Sequence, residues 1–175
     1  ILNSPHDFNR STGFDAETKT GKVTDWRTSS TYYDYERRFQ FISEIVYGTI
    51  QQRFWYLNFT MNNLEAVQMQ RYEVGQQYKV HHDYFNHEGR DQVFQNDRIA
   101  TMVVYLNDDF EGGETEFPNL NIKVKPKKGM GLYFEYVFIP EINRQTLHAG
   151  LPVTSGTKWI VTQWIHRVPY VGTAL

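Results

Sequence analysis

From residue 57 onward the chain is a succession of short β-prone runs broken by turns that carry Gly, Asn or Pro. This punctuation restricts the fold more than any other feature, because many short strands with turn signals between them build sheets stacked on sheets. The runs are read at 57–61, 66–72, 78–83, 98–106, 115–117, 122–124, 131–137, 145–148 and 158–167. The run at 98–106 (Arg-Ile-Ala-Thr-Met-Val-Val-Tyr-Leu) has the composition of a buried central strand. Aromatic residues make up 16% of the chain, which favours a pleated, half-buried surface over a helix bundle. Ahead of the strands, Phe39, Ile42, Ile45, Val46 and Ile50 recur at helical spacing, with Glu36, Arg37, Arg38 and Gln51 for the opposite face. This predicts one amphipathic helix over 35–54. Residues 1–30 are polar, with Ser, Thr, Asn, Gly and Asp interspersed, and predict an irregular arm and lid. The expectation is a single domain over 1–175: the arm, a supporting helix at 35–54, a jelly roll over 57–167 and a tail at 168–175. Its class is mainly β with a flanking helix packed on one face.

A net charge of −2 gives no global field to attract nucleic acid or an anionic membrane, and neither is expected as a partner. The chain has no cysteine, so disulfides, thiolate metal sites and thiol nucleophiles are excluded. No run of about 18 apolar residues is present, so no transmembrane helix is expected. Without cysteine or a visible leader before Ile1, a reducing, cytoplasmic location is the expectation, with a trimmed or processed start. Asn58-Phe59-Thr60 matches a glycosylation acceptor but reads as coincidence in a short apolar stretch.

The chemistry-bearing residues begin with the histidines: His6, His81, His82, His87, His148 and His166. Alternate residues of a strand share a face, so His81 and Asp83 point one way and His82 the other. Two ligands at i and i+2 can converge on one metal. A third must come from a strand that is adjacent in space, and His148, in Thr-Leu-His-Ala-Gly, is the candidate. Two His and one carboxylate form a facial triad that leaves adjacent positions open and suits Fe(II). By itself, His-x-Asp is a weak signal that reads first as a polar strand end with hydrogen-bonded histidines. No ligand position matches His6, His82 or His87. The polar loop 85–97 is expected to be mobile close to His81 and Asp83, and Glu111 and Glu114 to shape a Gly-Gly turn.

Ten positions after His148, Lys158 heads the run Lys-Trp-Ile-Val-Thr-Gln-Trp-Ile-His. On the surface it would need no partner. Pointing inward, its ammonium requires an anion, since an unpaired buried charge is very costly. Thr115 and Tyr72 could add hydroxyl hydrogen bonds to such an anion.

Four stretches together resemble the prolyl 4-hydroxylase family of Fe(II)/2-oxoglutarate-dependent dioxygenases, over roughly residues 26–166. They are Tyr72-Glu-Val-Gly-Gln-Gln-Tyr78-Lys-Val-His81-His-Asp83, Arg98 to Leu106, Glu111-Gly-Gly-Glu-Thr115-Glu-Phe-Pro118, and Leu147-His148-Ala-Gly-Leu-Pro-Val followed by Lys158-Trp. The resemblance implies a double-stranded β-helix with Fe(II) held by His81, Asp83 and His148. It implies 2-oxoglutarate and O2 as co-substrates, ascorbate as a reductant, and Lys158 paired with the C5 carboxylate beside Tyr72 and Thr115. It also implies substrate contacts from Arg98 and His166, with Tyr78 and Trp164 as neighbours. Trp26-Arg27-Thr28-Ser29-Ser30 resembles a segment of a substrate-covering loop. The retained Asp83 argues against a halogenase, in which a small residue replaces the carboxylate.

The implied reaction is hydroxylation of a prolyl residue in a peptide or protein, giving hydroxyproline, succinate and CO2. Hydroxylation of another residue or of a free amino acid uses the same site. Two other classes remain: a cupin-like metal enzyme with the same ligands and no use for Lys158, and a non-catalytic jelly-roll binding module with structural histidines.

Overall fold

The computed structural model describes residues 8–15, 20–53, 55, 58–84, 98–136 and 140–170. Strands β1 (Asn9–Arg10), β2 (Thr12–Asp15), β3 (Thr20–Val23) and β4 (Ser30–Tyr33) precede helix α1 (Gln40–Gln51). Then come β5 (Gln68–Tyr72), β6 (Tyr78–His81), β7 (Arg98–Tyr105), β8 (Glu111–Gly112), β9 (Thr115–Phe117), β10 (Ile122–Val124) and β11 (Gly131–Glu135). A short helix α2 (Pro140–Asn143) leads to β12 (His148–Gly150), β13 (Val153–Ser155) and β14 (Lys158–His166).

The strands form a six-stranded sheet in the order β1-β4-β5-β14-β7-β11 and a four-stranded sheet in the order β10-β9-β12-β6, with two two-stranded pairs, β13-β8 and the β2-β3 hairpin. All pairings are antiparallel. This is the expected jelly roll. The expected central strand at 98–106 lies between β14 and β11 and carries an apolar residue on each face in turn.

Alternation along the large sheet separates two cores. Met69, Ala100, Met102, Val161 and Ile165 face α1, where Ile42, Val46 and Ile50 supply the matching stripe. Each buried Met, Val or Ile side chain among these contributes roughly 1.5–3 kcal/mol relative to exposure. The other face carries Tyr72, Val103, Tyr105 and Ile160. Tyr72, Val103 and Ile160 of that face, together with Tyr78, His81, Thr115 and His148 from the small sheet, wall a cavity.

The predicted helix is real but begins at Gln40 rather than near residue 35. Asp34 explains the later start: its carboxylate accepts the amides of Arg38 at 2.8 Å and Phe39 at 2.6 Å, holding 35–39 as turns. Ile45, which the spacing had suggested for the core face, is 64% exposed.

Three predicted segments are corrected. The stretch 1–30 is not merely irregular. Within its described part lie β1, the β2–β3 hairpin and the start of β4. These strands escape a hydrophobicity pattern because they hold few apolar residues, and hydroxyls tie the residue between β1 and β2 to the start of β4: the Ser11 hydroxyl hydrogen-bonds that of Ser29 at 2.7 Å and also meets Thr31. The strand expected at 57–61 is absent from 58–61. Thr60 and Asn63 instead cap a 3-10 turn over Met61–Asn63, with the Thr60 amide donating to the Asn63 side chain at 2.9 Å. The strand expected at 145–148 begins only at His148, because Arg144–Thr146 is a 3-10 turn. His6, His87 and the loop 85–97 lie outside the described residues.

Candidate metal centre

His81 ends β6 and His148 begins β12, and the antiparallel register sets the two directly opposite one another. Asp83, two residues past His81, closes the group. The His81 Nε2 to Asp83 Oδ1 distance is 3.5 Å and His148 Nε2 to Asp83 Oδ2 is 3.6 Å. One ligand atom from each of the three lies within 4.8 Å of the others. His82 is exposed and packs on Tyr84 at 4.6 Å, so the alternation predicted for 81–83 holds.

The surroundings prepare these atoms to bind a cation. The Nδ1 atoms of His81 and His148 lie 2.7 Å from the Lys79 carbonyl and 2.8 Å from the Thr146 carbonyl. A carbonyl only accepts, so each Nδ1 carries the proton and each Nε2 lone pair is left for a metal. The Thr101 hydroxyl donates to Asp83 Oδ2 at 2.9 Å, and the Tyr136 hydroxyl meets Thr101 at 2.6 Å. Burial alone would raise the Asp83 carboxyl, but His148, His81 and Arg98 outweigh it and hold it well below the usual carboxylate range. Burial pushes the His148 imidazole down to about 4 against the pull of Asp83, so it is neutral and able to ligate at pH 7. Two imidazoles and one carboxylate, each oriented by a second partner, fit an Fe(II) ion with neighbouring positions open.

Lys158 enters the same cavity. It is 2% exposed, and its ammonium donates to the Gly113 carbonyl at 2.6 Å. It stands 5.2 Å from the Tyr72 ring centroid and 5.7 Å from that of Tyr105. Among the described residues no carboxylate pairs with it. Burial lowers its pKa to about 8, offset in part by Glu114. Tyr72 is its register partner across β5 and β14, and Thr115 joins from the small sheet with its hydroxyl 2.7 Å from that of Tyr105. A buried ammonium with one carbonyl partner and hydroxyls around it is a receptor for a carboxylate.

Of the expected site residues, His81, Asp83, His148, Lys158, Tyr72, Thr115, Tyr78 and Trp164 line this one cavity. Tyr78 lies flat on the His81 ring, with centroids 3.4 Å apart, and has the Arg27 guanidinium over it at 4.9 Å. Arg98 and His166 are not among the lining residues. Arg98 covers the Trp164 ring at 3.6 Å, donates to the Asp83 carbonyl at 3.0 Å and grips Glu65 through Nε at 2.6 Å and Nη2 at 3.1 Å. His166, 1% exposed, reaches the same carboxylate at 2.6 Å. Glu65 is therefore the hub of both. Burial would raise its pKa, but Arg98 and His166 lower it overall.

Sequence reasoning missed Glu65, Thr101 and Tyr136. Thr101 had a signal: a hydroxyl on the inward face of an otherwise apolar run needs a buried partner. Glu65 had none, since its partners stand 33 and 101 positions away.

A family model described as the 2OG-Fe(II) oxygenase superfamily matches residues 67–166. "Probable prolyl 4-hydroxylase 9" of Arabidopsis thaliana is 44% identical over 119 residues, covering 58% of this chain and 40% of the relative. "Probable prolyl 4-hydroxylase 3" of the same plant is 35% identical over 191 residues, covering 97% and 64%. The chain thus spans about half the length of the curated relatives it matches. A crystal structure of the viral collagen prolyl hydroxylase vCPH from Paramecium Bursaria Chlorella virus-1, in its 2OG complex, superposes with a TM-score of 0.64 and 36% identity over 81% of this chain and 79% of that one.

Proposed function

The chain belongs to the 2OG-Fe(II) oxygenase superfamily, and from that premise we propose that it hydroxylates a prolyl residue of a peptide or protein, consuming 2-oxoglutarate and O2 and releasing succinate and CO2. The observation that carries this is the convergence of the His81–Asp83–His148 cluster and the buried Lys158 ammonium on one cavity. A structural role for the histidines would leave Lys158 without a reason to be buried. A metal hydrolase would leave it without a use. Relatives named prolyl 4-hydroxylase support the substrate class.

When bound, Fe(II) supplies the activation of O2 and of the keto acid. The residues of the chain do the rest. His81, Asp83 and His148 hold the ion with their Nε2 and carboxylate oxygens, and Thr101 and the Lys79 and Thr146 carbonyls fix the direction of those atoms. Lys158 anchors the far carboxylate of 2-oxoglutarate, with Tyr72 and Thr115 as hydroxyl neighbours. Val103 and Ile160 form apolar walls that exclude water from the acid. Trp164 lines the same space, and its indole N–H makes no hydrogen bond among the described residues, so it is available to a ligand. Arg98 and His166, fixed by Glu65, border the side on which substrate approaches, and Tyr78 steadies the His81 ring.

The test is succinate formation by Fe(II)-loaded protein over a panel of proline-rich peptides, with mass spectrometry for a gain of about 16 Da, one oxygen. Turnover only with a non-prolyl acceptor overturns the prolyl reading. Failure to bind Fe(II) under anaerobic conditions overturns the oxygenase reading itself.

A further inference from the structure

The wall of the metal cavity holds a polar side chain that the chemistry above does not use. Gln70 lines the cavity beside Tyr72 and is buried. Gln68, two residues earlier on the same strand, and Arg27, just ahead of β4, are buried as well. The Arg27 guanidinium donates to the Thr12 carbonyl at 3.1 Å, to Gln68 Oε1 at 2.6 Å and to the Thr31 hydroxyl at 3.5 Å. Every partner it has among the described residues is a neutral oxygen or the Tyr78 ring.

Arg27 dictates the direction of a row of protons. A guanidinium only donates, so Gln68 must turn its oxygen toward Arg27. The same oxygen lies against the Gln70 amide, so Gln70 must offer its nitrogen there. The Gln70 oxygen then faces Tyr72, whose hydroxyl donates to it at 3.2 Å. Reversing Gln68 would set donor against donor at Arg27. A phenol has one proton, and that of Tyr72 is committed to Gln70.

This commitment bears on the anion that Lys158 receives, because Tyr72 is the register partner of Lys158. A carboxylate only accepts. It can take the Tyr72 proton only by leaving the Gln70 oxygen without a donor in a buried wall, which is costly. If it does not, it gains nothing from Tyr72. Either way it is held less tightly than in a pocket with a free phenol. The Thr115 and Tyr105 hydroxyls differ: joined to each other at 2.7 Å, they have two protons for one bond and keep one to give. We propose that Gln70, oriented by Arg27 through Gln68, is a positioning residue that withholds the Tyr72 proton from the co-substrate. Lys158 and the Thr115–Tyr105 pair then receive the distal carboxylate, and affinity for 2-oxoglutarate is set lower than the pocket could reach. This rests on the 2-oxoglutarate reading of the site.

Isothermal titration of 2-oxoglutarate into anaerobic, Fe(II)-loaded protein tests it without turnover. Gln70→Leu should tighten binding roughly threefold to tenfold, the net worth of one hydrogen bond, with Fe(II) affinity unchanged. Gln70→Met should act in the same direction. In a Tyr72→Phe background Gln70→Leu should bring no gain, because no proton remains to be released. Gln68→Glu still accepts from both Arg27 and Gln70 and should keep the unaltered affinity.

No gain from either Gln70 variant, or a gain of equal size in the Tyr72→Phe background, overturns the withheld proton and leaves the oxygenase reading standing. Binding that becomes measurable only in the Gln70 variants upholds it. Absence of 2-oxoglutarate binding in the unaltered protein and the Gln70 variants alike overturns both.

Discussion

The Lys158 ammonium is tied to the Gly113 carbonyl at 2.6 Å, and Gly113 holds a left-handed φ of +67° to present it. The two residues come from strand ends 45 positions apart in sequence, and under the proposed function they set where the co-substrate's distal carboxylate would be received. The first predictions follow from this pair.

Lys158→Met is expected to weaken 2-oxoglutarate binding by about 30-fold or more, the cost of removing one partner of a buried, hydrogen-bonded charge pair. Fe(II) binding should be retained. Isothermal titration with the acid, alongside metal analysis, checks both. Loss of metal together with the acid would show that Lys158 supports the fold rather than the ligand.

The same group predicts a pH dependence. Its folded pKa of about 8 lies below the ordinary value of 10.5. Below pH 8 the ammonium is present and ready for a carboxylate; above it the free protein loses that charge. The dissociation constant for 2-oxoglutarate should therefore rise about tenfold per pH unit above 8, until the pKa of the complex is reached. Folding stability runs the other way, increasing between pH 8 and 10.5, where the unfolded chain binds the extra proton. An affinity flat from pH 7 to 9.5 would count against a charged Lys158 as the anchor.

Gly113→Ala places a Cβ 3.0 Å from the Lys158 Cδ and 3.1 Å from the Phe110 ring, at a φ that L-residues rarely adopt. The strain is about 1–2 kcal/mol. The accompanying shift of Lys158 should weaken 2-oxoglutarate binding while leaving the metal site intact. Thermal denaturation and acid titration measure the two effects independently.

Thr101→Val removes the hydroxyl that orients Asp83. Fe(II) affinity should fall by roughly 10–100-fold, the usual effect of losing a partner that aligns a metal ligand. Co(II) titration followed by its visible spectrum reads this without turnover, and an unchanged affinity would mean that Tyr136 alone suffices.

Glu65→Ala leaves the Arg98 guanidinium buried without its carboxylate partner and should cost about 3–5 kcal/mol in chemical denaturation. A double-mutant cycle with Arg98→Ala should show strong coupling, because each single change removes the other group's ion-pair partner. Additive losses would mean the 2.6 Å contact carries no energy of its own.

What the sequence made legible follows one rule. Wherever a β-prone run is bounded by turn residues, a strand can be read directly: Arg98–Tyr105, Thr115–Phe117, Ile122–Val124 and Lys158–His166 stand inside the runs read for them. His81 and Asp83 share a side because alternate strand residues do, and His148 had to come from a neighbouring strand. The Thr12–Asp15 and Thr20–Val23 hairpin was illegible because each strand carries a single apolar residue, Phe14 and Val23, which leaves no hydrophobic period. Glu65 was illegible for a different reason: a lone acid gains meaning only from Arg98 and His166, which tertiary folding brings to it.

Along β14, Lys158, Ile160, Thr162 and Trp164 face the cavity, while Val161 and Ile165 between them pack toward α1. Adjacent codons thus fall under different kinds of selection. In a saturation library over 158–166, sorted once for soluble expression and once for turnover, the two rankings should interlock like the teeth of two combs. A lineage bearing this strand can retune what it accepts at every second position while the positions in between keep the molecule folded.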